Sequence, residues 1–223
     1  MKLVNTRIGI ELDLPENNVG VFVVESPAVL SSLMQELRCA VSTGESEWVL
    51  SDSNGILQME KVADLVIDPW SLDLNGKRIK SKLVHYLTGM AQDMHYEDFL
   101  KTRGQLFQYI ELISEASSYP LSYNEEFENA DLLKWLDVRL DVEAETFLER
   151  LVEYVKILGS LCGIRVVFFW GLHAILSSDE LQLLYREASY QKVSLVLIES
   201  QQGQVLEGEK YTIIDSDCCV ISF

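Results

Sequence analysis

Four basic residues fall within six consecutive positions near the middle of this 223-residue chain. They are Lys77, Arg78, Lys80 and Lys82. No acidic residue follows before Asp93. Cations at the start of a predicted helix are mildly unfavourable for that helix, so a nearby anion would relieve them. We expect this basic run to contact phosphates, with Lys101 and Arg103 adding to it. Solvated lysines at a helix start are the alternative.

Acidic residues dominate the segment that follows the basic run. Between positions 111 and 149 there are eleven acidic residues against two basic ones, Lys134 and Arg139. Calcium prefers oxygen ligands, so carboxylates in this segment are candidates for holding it. The candidate ligands are Glu115, Glu125, Glu126 and Glu128. No D-x-D-x-D-G calcium loop is present, and a solvated acidic face is the favoured alternative on these residues alone.

Two other positions bear on catalysis and nucleotide binding. His173 follows an apolar run, at the place where α/β enzymes put catalytic groups, although an ordinary loop histidine is the favoured interpretation. A phosphate-binding loop needs the pattern G-x-x-x-x-G-K-[ST] between the first buried strand and its helix. This chain has Glu25, Ser26 and Pro27 there, with a carboxylate where an anion would sit. We therefore predict no bound nucleotide and no catalytic site.

The elements that would position these residues are strands at both ends of the chain. Continuous apolar runs suit strands covered on both faces, as in a mostly parallel sheet. The predicted strands cover residues 19–25, 48–50, 65–67, 165–170, 195–198, 211–214 and 219–221, the last two as edge strands. A helix is predicted after Ser26 as its N-cap, and another from Ser177 to Ala188, because Ser177 and Glu180 have the capping-box spacing.

The middle of the chain is predicted to be helical. From Leu83 to Ser117 there is no proline, and apolar residues recur three or four apart, which indicates one face of a single long helix. These residues are Phe99, Leu106, Phe107, Ile110 and Ile113. A second amphipathic pattern runs from Phe147 to Leu158. We predict an α/β head with a mostly parallel sheet, built from residues 1–74 and 161–223, and an inserted helical leg at 75–160.

Composition limits the class of protein. With 35 acidic and 18 basic residues the net charge is −17, which by itself argues against binding to nucleic acid or to anionic lipid. The four cysteines form no CxxC pair, so we expect reduced thiols in a cytoplasmic protein. The first residues turn polar too soon for a signal peptide, and the longest apolar run, Val166 to Leu172, is far short of the ~20 residues of a membrane span.

The segments 64–87 and 154–199, with the strand near 211–215, resemble the Csn-two family of type II-A CRISPR loci. The likeness covers most of the chain and rests on fold-forming residues. It implies a head with a degenerate phosphate loop, a helical leg, and four subunits in a calcium-supported ring. The resemblance further implies that a positively charged hole encloses duplex DNA threaded from a free end. The implied activity is non-catalytic help to the CRISPR integrase and effector in acquiring spacers.

The chain departs from the family pattern in its acidic leg segment, where Ser122 and Asn124 replace charged residues beside Glu125 and Glu126. We therefore expect calcium binding that is weaker or differently arranged. The implied ring meets the objection raised by the net charge, since few bases can converge on an inner wall while acids face outward. Binding would then be independent of DNA sequence and sensitive to salt.

Two other classes of function stay open at this point. One is a metal-dependent nuclease or degenerate ATPase, which would need paired acids beside a scissile phosphate. Its nearest candidates, Glu125 and Glu126, are sequence neighbours and would point apart in a strand. The other is a protein-binding scaffold without DNA contact, in which the negative charge steers or repels partners.

Overall fold

The computed structural model describes residues 1–14 and 19–222 of the chain. The chain divides into two compact units. The head comprises Met1–Leu74 and Val142–Phe223, and the leg comprises Asn75–Asp141. Among the described residues, no helix has both the length and the apolar character that a bilayer span requires.

The strands all belong to the head. In chain order they are β1 Lys2–Asn5, β2 Ile10–Asp13, β3 Val19–Val24, β4 Trp48–Asp52, β5 Gly55–Leu57, β6 Ala63–Val66, β7 Val166–Trp170, β8 Ser194–Glu199, β9 Glu209–Ile214 and β10 Val220–Ser222. The helices are α1 Pro27–Thr43, α2 Met59–Val62, α6 Phe147–Ser160 and α7 Ser178–Tyr190 in the head, and α3 Lys77–Met94, α4 Tyr96–Ala116 and α5 Asn129–Trp135 in the leg. Two short 3₁₀ helices, Pro69–Ser71 and Leu172–Ala174, lie in the head.

The larger sheet has the strand order β10-β9-β3-β8-β7-β6. The strands from β9 to β6 are parallel, and β10 is antiparallel to β9. Every residue of β3 and β8 is buried, as continuous apolar strands covered on both faces should be. The predicted α/β head with a mostly parallel sheet is therefore confirmed. The strand β9 was predicted at an edge, and this is wrong: it pairs with β3 on one side, and β10 forms the edge.

A second sheet was not predicted. It is antiparallel and has the order β2-β1-β4-β5. The strand at Trp48 pairs with β1 in this sheet and not with the parallel strands of the head. In this second sheet, Leu3 of β1 and Leu50 of β4 belong to the same buried cluster as Leu33 of α1 and Phe22 of β3. The helix α1 and the two sheets thus share one hydrophobic core.

Helix starts follow their capping residues. Ser177 and Glu180 form the predicted capping box of α7: the Ser177 hydroxyl accepts from the Glu180 amide, and the Glu180 carboxylate accepts from the Ser177 amide. At α1, Ser26 occupies the N-cap position and Pro27 begins the helix, as predicted, but the Ser26 side chain makes no capping hydrogen bond. Thr146 and Glu149 form an equivalent capping box at α6.

The helix α6 lies in the head, whereas its residues were assigned from sequence to a leg ending at position 160. The boundary between units falls at Asp141 and Val142. The physical reason is burial: Leu151, Val155 and Leu158 are almost fully inaccessible, and α6 packs against α7. The apolar face of α6 was recognised in the sequence, but its packing against α7 was not predicted.

The leg has two helices where one was predicted over 83–117. The helix α3 begins at Lys77 and ends at Met94. His95, with φ −134° and ψ 23°, is not helical and separates α3 from α4. The apolar face predicted for α4 is present, but no residue of α4 is buried. Phe99, Phe107 and Ile110 are half-buried, so the leg covers this face only in part.

Candidate nucleic-acid interface

The basic run occupies the first six residues of α3. Gly76 is the N-cap, and the first turn contains no acidic residue to complement the positive helix end. Ile79 and Leu83 are buried and fix which face of the helix is turned inward. Successive side chains on an α-helix rotate by roughly 100°, so the four cations cannot share one face.

Lys80 is drawn away from the other cations. Its ammonium nitrogen lies 2.8 Å from Oδ1 of Asp137, and Arg139 bonds Oδ2 of the same carboxylate at 2.7 Å. The hydrogen bond and charge of Lys80, followed by the charge of Arg139, lower the pKa of Asp137. Lys80 therefore serves an ion pair inside the leg.

Arg78, Lys82 and His85 form what we call the α3 stripe. They are spaced by four and then three residues, which places them on one side of the helix. Lys82 and His85 are exposed, and Arg78 is partly exposed. Lys77, the first residue of α3, is also exposed. Neither Lys77 nor Lys82 makes an ion pair with a residue that the structure describes. This surface of α3 can meet phosphates.

Lys101 and Arg103 do not act together. They are two residues apart on α4, so their side chains point roughly 200° apart around the helix. Lys101 is exposed, with its ammonium nitrogen 3.8 Å from Oδ1 of Asp98. Arg103 is partly exposed and lines a pocket inside the leg with residues Phe127 and Glu128. A single flat phosphate surface cannot include both side chains.

The predicted calcium ligands are exposed and scattered. Glu115 is near the end of α4, and Glu125 and Glu126 lie in the segment between α4 and α5. Glu128 is the N-cap of α5, where its amide donates to Oδ2 of Asp131 at 3.2 Å. Within the described ranges 1–14 and 19–222, no three acidic, histidine or cysteine side chains gather as a metal site. The four predicted ligands are therefore not brought together within these ranges.

A buried polar network in the head was missed by sequence reasoning. Nε2 of His173 lies 2.7 Å from Oε1 of Glu209, which also accepts from the Tyr185 hydroxyl at 2.6 Å. The other oxygen of Glu209 accepts from the Tyr211 hydroxyl at 3.2 Å and from the Leu206 amide at 2.8 Å. The only sequence signal was the position of His173 after β7; its partners are contributed by α7 and by the start of β9.

Charge in this network is set by burial and hydrogen bonding. The hydrogen bond with Glu209 raises the pKa of His173, although burial opposes the rise. Burial alone would raise the pKa of Glu209, but the hydrogen bonds from His173 and Tyr185 bring it below its ordinary value. Glu199, at the end of β8, accepts from the His173 amide at 3.1 Å, and burial raises its pKa.

The same network is closed to solvent. The His173 side chain is 10% exposed and that of Glu209 is not exposed at all. Gly203, in the segment between β8 and β9, lies directly beside the His173 ring, so this segment helps to cover the network. The network is therefore a structural tie between the 3₁₀ helix Leu172–Ala174, α7, β8 and β9. The exposed candidate surface is the α3 stripe.

Comparisons with known proteins identify the family. A solved structure described as that of Stu0660 of Streptococcus thermophilus matches all of this chain and 76% of its own, with a TM-score of 0.60 and 13% sequence identity. This likeness supports the fold. A family model described as CRISPR-associated protein (Cas_Csn2) matches residues 41–218, which includes most of the head and the whole leg. The chain therefore belongs to the Cas_Csn2 family of CRISPR-associated proteins of type II-A systems.

Proposed function

We propose that this protein is a non-catalytic ring of four identical subunits that encloses the ends of double-stranded DNA during CRISPR spacer acquisition. The family acts in CRISPR adaptation. In the proposal, binding is independent of DNA sequence, calcium supports the assembly, and the ring presents DNA to the CRISPR integrase and effector.

The observation that carries the proposal is the uncovered helix α4. Its side chains Tyr109, Leu112 and Ile113 are 60%, 60% and 42% exposed, and none of its residues is buried within one chain. Contiguous apolar surface of this kind is rare on a monomer and marks an interface. A second copy of the chain is the occupant that an oligomeric ring requires, and association would bury this face.

The α3 stripe supports DNA contact despite the net charge of −17. A ring of four subunits can bring four copies of Arg78 and Lys82 to a common inner wall. Phosphate contacts of this kind carry no sequence information, and they release counterions. Two or three cations from each of four subunits would give a slope of log affinity against log salt of roughly −7 to −11.

The positions of the acidic residues in the leg limit how calcium could act in the proposal. Because the carboxylates that the structure describes do not gather, the ligands of an ion would come from segments brought together on assembly. Calcium would then favour the oligomer over the single chain, since an ion that binds only one state stabilises it. Solution mass measured with and without calcium tests this point, and equal masses would remove calcium from the proposal.

The decisive experiment compares linear and covalently closed circular duplexes of equal length in a mobility-shift assay at one salt concentration. We expect linear DNA to bind and the circle to be excluded, because a closed ring loads only over an end. Equal binding of the two forms would contradict enclosure. A variant with Lys77, Arg78 and Lys82 changed to Glu, and with Lys80 kept because it pairs with Asp137, should lose binding, and both its leg and its head should unfold as in the wild type.

The same preparation distinguishes the alternatives. ATP turnover or magnesium-dependent nicking by the pure protein would favour an enzyme. Absence of DNA binding even at ~50 mM salt with calcium would favour a scaffold that contacts only proteins, because low salt strengthens phosphate contacts.

A further inference from the structure

The leg contains a pocket of about 250 Å³ between α3, α4 and the segment that leads into α5. It lies wholly within the leg and involves neither the α3 stripe nor the buried network of the head. The lining residues that bear on its chemistry are Thr88, Tyr96, Phe99, Arg103, Phe127 and Glu128. Three of these six are aromatic, and one is a cation.

Two polar groups at this pocket lack partners within the described part of the chain. The Thr88 hydroxyl oxygen is buried and makes no hydrogen bond there. Arg103, which is only partly exposed, makes no ion pair with any described residue. Buried polar groups in native proteins are almost always paired, so the Thr88 hydroxyl calls for an explanation, whereas the partly exposed Arg103 guanidinium can be solvated. A ligand that carries both an anion and a hydrogen-bonding edge would satisfy both groups.

The walls favour a planar ligand. Tyr96, Phe99 and Phe127 supply aromatic rings, and a guanidinium beside such rings is the combination that holds unstacked nucleotides, with the base on the rings and the phosphate on the arginine. Pockets for drug-sized ligands are about 300–1,000 Å³, so this slightly smaller pocket suits a ligand below that size. One nucleotide with its phosphate at the rim fits this volume.

Glu128 sets a preference among bases. Its carboxylate would repel a phosphate, so the phosphate must lie on the Arg103 side of the pocket. The Glu128 amide donates to Oδ2 of Asp131 at 3.2 Å, which holds this residue in place, and its exposed carboxylate keeps lone pairs that can accept from an amino group. Adenine, cytosine and guanine carry such an amino group and thymine does not, so thymine should bind more weakly.

We propose that the leg pocket binds a single unpaired nucleotide, with the base between the aromatic side chains and the phosphate on Arg103. The choice of ligand rests on the proposed DNA function, in which the natural source is an unpaired nucleotide at the end of a duplex. A free mononucleotide presents the same chemistry and serves as the probe.

The test is an NMR titration of the full chain with deoxyadenosine monophosphate to ~10 mM, following the Arg103 side-chain and Thr88 methyl signals. We expect saturable shifts at both groups, weaker binding of thymidine monophosphate, and no saturation with inorganic phosphate alone. Arg103→Gln should weaken binding at least about tenfold, since it removes a charge-assisted hydrogen bond. Thr88→Val, which keeps the side-chain shape, should weaken it about threefold to tenfold.

Lys134→Gln is the matched control, because it removes one positive charge from the same unit at a residue that is 65% exposed and does not line the pocket. Its affinity should equal that of the wild type. Lack of saturable shifts, or equal affinity of Arg103→Gln and wild type, would overturn the proposal. Unchanged thermal unfolding of each variant establishes that a lost signal reflects lost binding.

A second arm of the experiment distinguishes a free mononucleotide from an unpaired nucleotide at a duplex end. It also tests the leg pocket separately from the DNA-enclosing ring. Duplexes with one unpaired 3′ adenine should bind more tightly than blunt duplexes, and Arg103→Gln should abolish only this difference. The mononucleotide titration requires neither a ring nor a duplex. Nucleotide binding without DNA binding would therefore overturn the DNA clamp, and DNA binding without nucleotide binding would overturn the pocket.

Discussion

Nζ of Lys80 lies 2.8 Å from Oδ1 of Asp137, so a cation of the basic run is held inside the leg and turned from the α3 stripe. The contact is reinforced nearby: the Asn75 side chain donates to the Leu140 carbonyl at 3.0 Å and accepts from the Leu140 amide at 2.8 Å. Together these bonds hold the returning chain against the start of α3. The basic run thus includes one structural cation, Lys80, and two exposed lysines, Lys77 and Lys82, that are available to a ligand.

The first prediction separates these two roles by substitution. Lys80→Met should lower the free energy of unfolding of the leg by about 0.2–1 kcal/mol, the value of a partly exposed ion pair, and should leave the salt dependence of DNA binding unchanged. Lys82→Met should leave stability unchanged. In a ring of four subunits it removes four phosphate contacts, so the salt slope should become shallower by about 3 to 4.

Urea unfolding followed by leg-specific hydrogen exchange, together with DNA titrations at several salt concentrations, measures both quantities. The interpretation fails if Lys80→Met alters the salt slope as much as Lys82→Met does.

The second prediction concerns pH and the buried network of His173. The pKa of His173 is raised in the folded state by its hydrogen bond with Glu209, so the folded protein holds this proton more tightly than the unfolded chain does. The resulting stability is complete below pH ~6.5, the unfolded value, and is lost as pH rises through the folded pKa. The raised pKa of buried Glu199 acts in the same direction.

We therefore expect the free energy of unfolding of the head to fall as pH rises above ~6.5, and His173→Gln to flatten this dependence. Urea unfolding at intervals between pH 6 and pH 9 gives the slope. His85→Gln, at an exposed histidine of the leg, is the control and should keep the wild-type slope. A slope that is the same with and without His173 would show that the network does not titrate in this range.

The sequence indicated most of the head and little of its polar interior. Continuous apolar runs such as β3 and β8 indicate buried parallel strands, and the capping-box spacing of Ser177 and Glu180 indicates a helix start. Both patterns can be read from sequence because they involve residues that are close together in the chain. The antiparallel sheet of β1 with β4, and the interior place of β9, depend on pairing between distant segments. The contacts of Glu209 also join segments that are distant in the chain, so no spacing of residues in the sequence could predict them.

The third prediction tests the contact between α6 and the start of β8. A Cβ at Gly159 would lie 2.8 Å from Cγ2 of Val193 and 3.2 Å from Cβ of Gln191. Gly159→Ala should therefore destabilise the head by about 1–3 kcal/mol, because overpacking outweighs the gain in helix propensity. Gly104→Ala, where a Cβ meets nothing within 4 Å, should stabilise α4 by about 0.5–1 kcal/mol. Calorimetry of both variants is the check, and a stabilised Gly159→Ala would contradict this packing.

The fourth prediction addresses assembly through α4. Leu112→Glu places a charge on the exposed apolar face, so it should reduce the oligomer to smaller species without unfolding the head. Ile56→Glu provides the comparison, because Ile56 is 79% exposed on β5 in the head and its substitution should leave the mass unchanged. Light scattering after gel filtration reports the masses. An unaltered mass for Leu112→Glu would exclude this face as the subunit contact.

The candidate site was predictable in residue type but not in arrangement. The basic run was visible as a cluster, yet the helix turns Lys80 towards Asp137 and separates Lys101 from Arg103. The acidic residues were visible too, but one of them, Glu128, caps α5. The leg pocket gave no signal, because its rings and Arg103 are spread over three segments that only the fold brings together.

The central strand β3 is flanked by β8 and β9, which are synthesised more than 170 residues later. On the ribosome, both edges of β3 must wait without a partner strand until almost the whole polypeptide has emerged. The leg is continuous in sequence and can acquire its helices while that wait lasts. Premature termination anywhere before β9 would therefore leave an aggregation-prone chain that chaperones must hold or proteases remove.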